Sequence, residues 1–390
     1  MKVLVLNSGS SSLKYQLIET SATLMERDAD RTLARGLVER IGESVSGHAA
    51  AVRVAMQDLA GAGAVSSLDE IDAVGHRIVH GGEYFSSPVL IDASVEARIE
   101  ECAALAPLHN PPSLKTYRAA RDLLPRAAHA AVFDTAFHAT IPPRAFTYGL
   151  PHDLCERYRL RRYGFHGTSH RYVAERFAKL NGGDPARLRV ITCHLGNGCS
   201  MCAVKGGRSV DTTMGLTPLE GLLMGTRAGD TDPAAAIRIL EGEGLSPAGL
   251  DRVLNMESGL LGISGVSNDM RTLLEHARAG NERARLAIDV FCYRIRKYIG
   301  AYYAALNGAD AVVFTAGIGE NRPEIRAQVC ESLEALGIRI DAERNRVAAG
   351  VEADISADGA TTRVWVIPTN EELLIARDTA LACGARGAAA

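Results

Sequence analysis

Residues 1–20 read MKVLVLNSGSSSLKYQLIET. A short apolar run, residues 3–6, breaks into Asn7-Ser8-Gly9-Ser10-Ser11-Ser12, and an alternating run begins around Lys14. Strand, Gly/Ser turn, strand is the pattern of a hairpin. The turn also suits an anion: small residues let backbone N–H groups approach, hydroxyls donate hydrogen bonds, and a lysine adds charge. By itself the segment reads first as a solvated hairpin turn. The pattern returns half a chain later in residues 190–205, VITCHLGNGCSMCAVK, with Gly198 answering Gly9 and Ser200 answering Ser11. Two such hairpins point to a duplicated α/β domain with a cleft between the copies.

Composition bounds the class. A chain of 390 residues, 47% hydrophobic and 23% charged, suits a globular enzyme of two or more domains. A formal net charge of −3 excludes a strongly basic nucleic-acid binder, though not a local basic patch. No apolar run approaches the roughly 18 residues of a membrane span. The run before Asn7 is too short for a signal peptide, so a cytoplasmic protein is expected, with no membrane partner. The eight cysteines lack the paired spacing of a disulfide framework. Cys199 and Cys202 form a CxxC without a second ligand pair, and read as small buried residues on a strand.

Strand patterns cover residues 3–6, 13–18, 73–79, 131–133, 188–193, 201–204, 311–314 and 364–367. Helical patterns cover 95–106, 114–124, 169–180, 232–240 and 283–306; the last carries an apolar stripe of Ile288, Phe291, Ile295, Ile299, Tyr302 and Leu306. Their interleaving makes the class α/β. Residues 384–390 read as a frayed tail. Neither G-x-x-x-x-G-K-[ST] nor G-x-G-x-x-G occurs. Two further turns nonetheless resemble the first: HLGNGCS (194–200), where Gly196-Asn197-Gly198 suits positive φ, and TAGIGEN (315–321), straight after a strand. Loops at the carboxyl ends of strands are where α/β proteins bind ligands, and three such turns point to a nucleotide.

Charged groups stand in unusual company. Arg77 lies in a strand-like run between His76 and His80, Asp134 ends an apolar strand, and His166 sits among glycines beside Phe165. Arg227 lies in a Gly-rich loop before Asp230 and Asp232, and Asn370 and Glu371 follow a strand. Phosphoryl transfer uses this set: arginine forks for the equatorial oxygens, carboxylates for Mg²⁺. The same residues admit plainer readings. His76/His80 and His166/His170 have zinc-like spacing, but glycines interrupt both segments and HExxH is absent. His170 reads as an early residue of a helix capped by Thr168 or Ser169. His76 reads as a satisfied core histidine, and Asp230 and Asp232 as caps of the helix that Pro233 begins. Arg77 and Arg227 read equally as members of internal salt bridges.

The segments LNSGSSSLKY, GHRIVHGGE, LAPLHNPP, VFDTAFH, RRYGFHGTSH, HLGNG, SVDTTMGLTPLEGLLMGTR, SGLLGISGVSNDMR, FTAGIGEN and IPTNEEL occur in this order. Through them the chain resembles the acetokinase family over nearly its whole length. The resemblance implies two duplicated ribonuclease-H-like domains with an inter-domain active-site cleft. Residues 1–136 plus 373–390 would form the first, completed by the C-terminal helix. Residues 137–372 would form the second, nucleotide-binding and dimer-forming. It implies a homodimer, Mg²⁺ (or Mn²⁺), ATP/ADP, and the reaction ATP + acetate ⇌ ADP + acetyl phosphate. Propionate or butyrate kinase activity, or a non-catalytic ATP-binding module of the same fold, are the alternatives. By resemblance, Asn7 and Glu371 serve the metal. Lys14 and the loop His194, Leu195, Gly196, Asn197, Gly198 face the ATP phosphates. Alternation along the strand puts Ser10 and Ser12 on the face of Lys14 as hydroxyl donors to phosphate, and which of Ser10, Ser11 and Ser12 only shape the turn stays open. Asp269, Met270, Arg271 and Gly317, Ile318, Gly319, Glu320, Asn321 hold the nucleoside. Arg77 and Arg227 grip the acyl substrate and the migrating phosphoryl, and His166 stabilises the transition state. Val79, Leu108, Phe165 and Pro218 form the acyl pocket. Asp134 is the family's catalytic carboxylate. A small carboxylic acid, with a pKa near about 4.3, is ionised at neutral pH and needs no base. Asp134 is therefore expected to fix Mg²⁺ or orient Arg77.

Overall fold

The computed structural model describes residues 1–9, 11–107 and 109–387, with side chains to 384. The chain divides into two compact units, Met1–Ala139 with Asn370–Ala390, and Thr140–Thr369.

The first unit is built on β1 (Lys2–Ser8), β2 (Leu13–Glu19), β3 (Arg31–Val38), β4 (Ala73–Ile78), β5 (Val89–Leu90) and β6 (Ala128–Phe133). They form one sheet in the order β3-β2-β1-β4-β6-β5, in which β1, β4 and β6 are parallel. Val3 to Leu6 are all buried because both faces of β1 are covered, which is why the run is continuous rather than alternating. Leu4 and Leu6 pack in the cluster that holds Ala51, Val52 and Leu59 of the helix His48–Gly61 and Ala120 of Asn110–Leu123. Val3 and Val5 pack with Ile375 and Ala376 of the C-terminal helix Glu371–Gly387. Gly75 on β4 makes that approach feasible: a Cβ there would lie 2.4 Å from Thr379 Oγ1.

The second unit is built on β7 (Arg189–Leu195), β8 (Cys199–Lys205), β9 (Arg208–Thr212), β10 (Ala311–Thr315), β11 (Ala353–Asp354) and β12 (Arg363–Val366). Its sheet runs β9-β8-β7-β10-β12-β11. Strand for strand this is the order of the first sheet, with β7, β10 and β12 parallel. The helix Gly167–Leu180 packs on β7, β8 and β10, and the helix Glu282–Leu306 on β7 and β8. All six residues of the expected stripe on Glu282–Leu306 are buried, whereas Leu286 and Tyr293 on the same helix are exposed.

All eight expected strands are present. The antiparallel strands β3, β5, β9 and β11 gave no readable pattern: β3 is half exposed and carries Gly36 and two arginines, β9 is mostly polar, and β5 and β11 are two residues each. The helix expected over 95–106 is shorter, Ala93–Glu101 followed by a 3₁₀ turn, Cys102–Ala104. The expected tail is corrected in part, since the C-terminal helix continues through Gly384 to Gly387. TAGIGEN is not a turn but a short helix, Ala316–Asn321, entered through Ala316 at φ 62°. The hairpin echo is real but shifted. In the ladders Asn7 pairs Lys14 and His194 pairs Ser200, so Ser200 is the counterpart of Lys14 rather than of Ser11. Among the described residues no helix is long and apolar enough to cross a membrane.

Candidate functional site

Where the parallel strands of the first unit end, charged groups converge. Arg77, late on β4, donates from Nε to Asp134 Oδ1 at 2.9 Å and from Nη2 to Asp134 Oδ2 at 2.5 Å, a two-pronged pair. Its Nη1 donates to Asn7 Oδ1 at 3.0 Å. Three of the five guanidinium hydrogens are thereby used, and two remain for a ligand. Asp134 follows β6 directly and is 1% exposed. Glu371 opens the C-terminal helix with Oε2 3.9 Å from Arg77 Nε. Burial pushes its carboxyl up to about 7; the Arg77 charge pulls the other way, and Asp134 and Glu372 add to the rise. Arg77 itself is held above its ordinary range, because Asp134, Glu371 and Glu372 together outweigh its burial. Lys14 is paired with the buried Glu372 at 2.7 Å, a partner that nothing in its hairpin announced. The plain reading of Arg77 as a member of a salt bridge is therefore correct as far as it goes.

These oxygens suit a hard divalent cation. Mg²⁺ takes one or two carboxylates and completes its shell with water and phosphate. Glu371, partly buried beside Asp134 and Glu372, stays raised despite Arg77 and Lys14, and a divalent cation would supply the further positive charge it lacks. Among the described residues no cluster of three or more His, Cys, Asp or Glu is spaced to cage a metal by protein ligands alone.

The second unit gathers imidazoles at the corresponding end of its sheet. His166 is the left-handed N-cap of Gly167–Leu180 (φ 57°), and its Nδ1 meets Ser200 Oγ at 2.8 Å. Ser200 Oγ also meets His170 Nε2 at 2.8 Å, and His170 Nδ1 meets Thr192 Oγ1 at 2.7 Å. His166 stacks on His194 with ring centroids 4.2 Å apart, and His194 Nδ1 meets Ser169 Oγ at 2.8 Å. Thr168 and Ser169 thus lie inside the helix and do not cap it, contrary to expectation. Arg227 donates from Nη1 to Pro218 O at 3.3 Å and has no carboxylate partner among the described residues. Burial draws its guanidinium below the usual range, although it stays fully charged at neutral pH. The internal-salt-bridge reading fails for this residue.

Other expected site residues behave unevenly. Ser10 and Leu108 lie outside the described residues. The backbone N–H of Gly9 donates to Ser12 O at 2.8 Å, closing the first turn. Gly196 and Gly198 do not take positive φ; the N–H of Gly196 donates to Gly198 O at 3.2 Å instead. Asn197 is held by Asn268, whose Nδ2 donates to its Oδ1 at 3.0 Å. The side chains of Leu195 and Met270 belong to the core, at 0% and 3% exposure, so only their backbone can face a nucleotide. Asp269 caps its helix by accepting from Arg271 N at 2.8 Å and pairs with the Arg271 side chain. Glu320 turns inward, its carboxylate accepting from Ala316 N at 2.6 Å and Thr369 N at 3.0 Å. Ile318 is nearly buried, Asn321 Nδ2 donates to Gly317 O at 3.0 Å, and Gly319 O accepts from the buried Arg326 at 2.8 Å. Val79 and Phe165 are buried and Pro218 half-buried. Val79 is in the first unit, Phe165 and Pro218 in the second.

The rival readings resolve simply. His76 Nε2 meets His129 Nδ1 at 3.0 Å in the core, while its Nδ1 has no hydrogen-bond partner among the described residues. Asp232 caps the Pro233–Gly242 helix, but Asp230 instead accepts from Gly221 N and Tyr298 Oη. Cys199 and Cys202 are three apart on β8 and so point to opposite faces; both are free thiols. Reading by sequence missed Glu372, Thr369 and Asn268, and took Ser169 for a helix cap rather than a partner of His194. Only Glu372 left a signal, as the second acid of PTNEEL.

A six-stranded order that occurs twice, with an arginine and acids gathered where the parallel strands of the first sheet end, fits a phosphotransferase of the ribonuclease-H-like fold. The residue pattern that defines the acetokinase family matches positions 2–377. The chain is 51% identical to the acetate kinase of Methanosarcina mazei, over 98% of this chain and 97% of that one. It superposes on the crystal structure of Porphyromonas gingivalis acetate kinase with a TM-score of 0.93 at 45% identity, covering 98% and 99% of the two chains. A propionate kinase from Francisella tularensis gives 0.89 at 40% identity, covering 97% and 98%. The chain belongs to the acetokinase family.

Proposed function

We propose that this protein is an acetate kinase, catalysing ATP + acetate ⇌ ADP + acetyl phosphate by in-line phosphoryl transfer. The observation that carries this is the Arg77 fork, held by Asp134 and Asn7 beside Glu371 where β1, β4 and β6 end. Acetate and the γ-phosphoryl are both anions, and their approach demands fixed positive charge in a water-poor site. Arg77 supplies two free N–H groups already aimed by Asp134. Arg227, a cation without a carboxylate partner among the described residues, binds the second anion. His166, its ring anchored through Ser200, donates toward the equatorial oxygens. Asp134 acts through Arg77, since acetate arrives ionised and no proton has to be removed. When bound, Mg²⁺ (or Mn²⁺) neutralises charge on the phosphates; Glu371 and Asn7 are the residues to hold it. Lys14, half-exposed, exchanges Glu372 for a phosphate oxygen.

The second unit carries the nucleotide in this reading. Of the loop 194–198, the backbone amides of Asn197 and Gly198 face the phosphates, and Gly317, Asn321 and the Asp269–Arg271 pair meet the nucleoside. Leu286 and Tyr293, seven apart on one helix, leave apolar surface exposed and support a homodimer through it. Dependence on ATP in this reading supports a cytoplasmic location.

Val79 limits the acyl pocket and favours acetate over propionate. One methylene is worth only about 1–3 kcal/mol, so propionate remains a slower substrate. Purified protein with Mg-ATP and each acid in turn, with hydroxylamine trapping acyl phosphate, tests this. Hydroxamate should form fastest from acetate, then propionate. Rates rising with chain length through butyrate would shift the assignment to a longer-chain kinase, and no hydroxamate from any acid would overturn it.

A further inference from the structure

We propose that Glu220, clamped by Arg162 and Tyr148, is a positioning residue that sets acyl selectivity. This rests on the acyl-kinase reading above.

Residues 214–229 form a long irregular loop that carries both Pro218 and Arg227. An irregular segment holds a catalytic geometry only where something pins it. Arg162 donates from Nη1 to Thr212 O at 2.7 Å and Thr213 O at 2.8 Å, at the point where the loop leaves β9. Its Nη2 donates to Glu220 Oε1 at 2.5 Å. The other carboxylate oxygen accepts from Tyr148 Oη at 2.5 Å, and Tyr148 Oη accepts from Leu216 N at 2.8 Å. Leu216, Tyr148, Glu220 and Arg162 thus form one closed chain of donors and acceptors across the turn that contains Pro218. Gly215 leaves space for it: a Cβ there would lie 1.7 Å from Glu220 Oε2 and 2.2 Å from Tyr148 Oη.

The clamp reaches the chemistry through one bond. Arg227 Nη1 donates to Pro218 O, two residues before Glu220. The only other hydrogen bond to its side chain among the described residues is a long one to Met224 Sδ, 3.8 Å, and the buried Cys199 lies near enough to interact with its charge. Arg227 therefore takes its place from the Pro218 carbonyl, and Pro218 takes its place from Glu220. Beyond Glu220 the loop is tied a second time, by Asp230 accepting from Gly221 N at 2.9 Å and from Tyr298 Oη at 2.6 Å. Releasing Glu220 loosens the Pro218 turn without freeing the whole loop.

The test uses Glu220→Gln and Tyr148→Phe in the full-length protein, with the exposed Glu343→Gln as control. Both clamp variants should shift the propionate-to-acetate ratio of kcat/KM toward propionate by about fivefold or more. The KM for acetate should rise about tenfold while the KM for ATP stays within about twofold. The ratio decides, because a variant that only folds less well has fewer active molecules but an unchanged ratio. Active wild type with an unchanged ratio in both variants overturns the inference alone. Insoluble protein from both also overturns it, as a purely structural clamp would give that result. Wild type inactive on every acid overturns the acyl-kinase reading and this inference with it.

Discussion

Arg77 and Arg227 carry the same guanidinium in opposite circumstances. Arg77 is neutralised by a carboxylate that is itself 1% exposed, whereas Arg227 has no carboxylate partner among the described residues. Replacing either with alanine should lower kcat by several orders of magnitude, because in the proposed reading each neutralises charge in the transition state. Stability separates them. Arg77→Ala leaves Asp134 charged, buried and unpaired, which costs about 3–5 kcal/mol. Arg227→Ala removes a partly desolvated cation and should leave the melting temperature unchanged or slightly raised. Steady-state assays and thermal melts on both variants check this; equal destabilisation would contradict the pairing. Both arginines and Asp134 were visible in the sequence as residue types beside glycines or at strand ends. Which of the two arginines had a partner was not, since Arg77 and Asp134 are 57 positions apart.

At the scale of elements, close approach does much of the positioning. The C-terminal helix lies against β4 only because residue 75 has no side chain. Gly75→Ala should cost about 1–3 kcal/mol through overpacking and move the helix that begins with Glu371. Activity should then require more Mg²⁺ than in the wild type, measured by metal titration of the initial rate. Gly317 is the contrasting case. A Cβ there meets nothing within 4 Å and φ is not positive, so the protein itself tolerates alanine. Gly317→Ala should leave the melt unaffected yet raise the KM for ATP, since the open space belongs to the nucleoside in the proposed reading. An unchanged KM would move the nucleoside elsewhere. The short helix that holds Gly317 was read as a turn because it is too brief to show a period. Its ends are secured by Glu320 and Arg326 rather than by local signals.

For the whole molecule, three histidines of the first unit set the acid limit. Burial holds His76 well below its usual range, draws His80 down to about 4, and lowers His129 as well. The unfolded chain binds these protons near pH 6.5 and the folded one does not. Their stabilisation is therefore complete above about pH 6.5 and is lost as pH falls toward 4. Glu371 acts in the opposite sense: raised to about 7, it favours the folded state at low pH and loses that contribution as pH rises through 7. Asp211, also raised by burial, acts in the same sense as Glu371. With three groups against two, stability in the absence of metal should fall on acidification from 6.5 to 4, by about 1.4 kcal/mol per pH unit for each net group. Denaturant melts across that range check it, and a flat profile would rule it out. The same scale shows the duplication. Both hairpins announced it, but the residue matching was wrong by three positions until the ladders set Lys14 opposite Asn7 and Ser200 opposite His194.

The sequence by itself determined the α/β class, the repeated hairpin, the buried stripe of the long helix and the residue types able to transfer a phosphoryl group. These depend on local periodicity and turn chemistry, which neighbouring residues record. Only the tertiary structure decided that Lys14 faces Glu372, that Glu320 turns inward and that Leu195 and Met270 serve the core. It alone showed Glu220 pinning the loop that presents Arg227. A side chain chooses its partner from whatever the fold brings within about 3 Å, and those groups come from distant segments that leave no local trace.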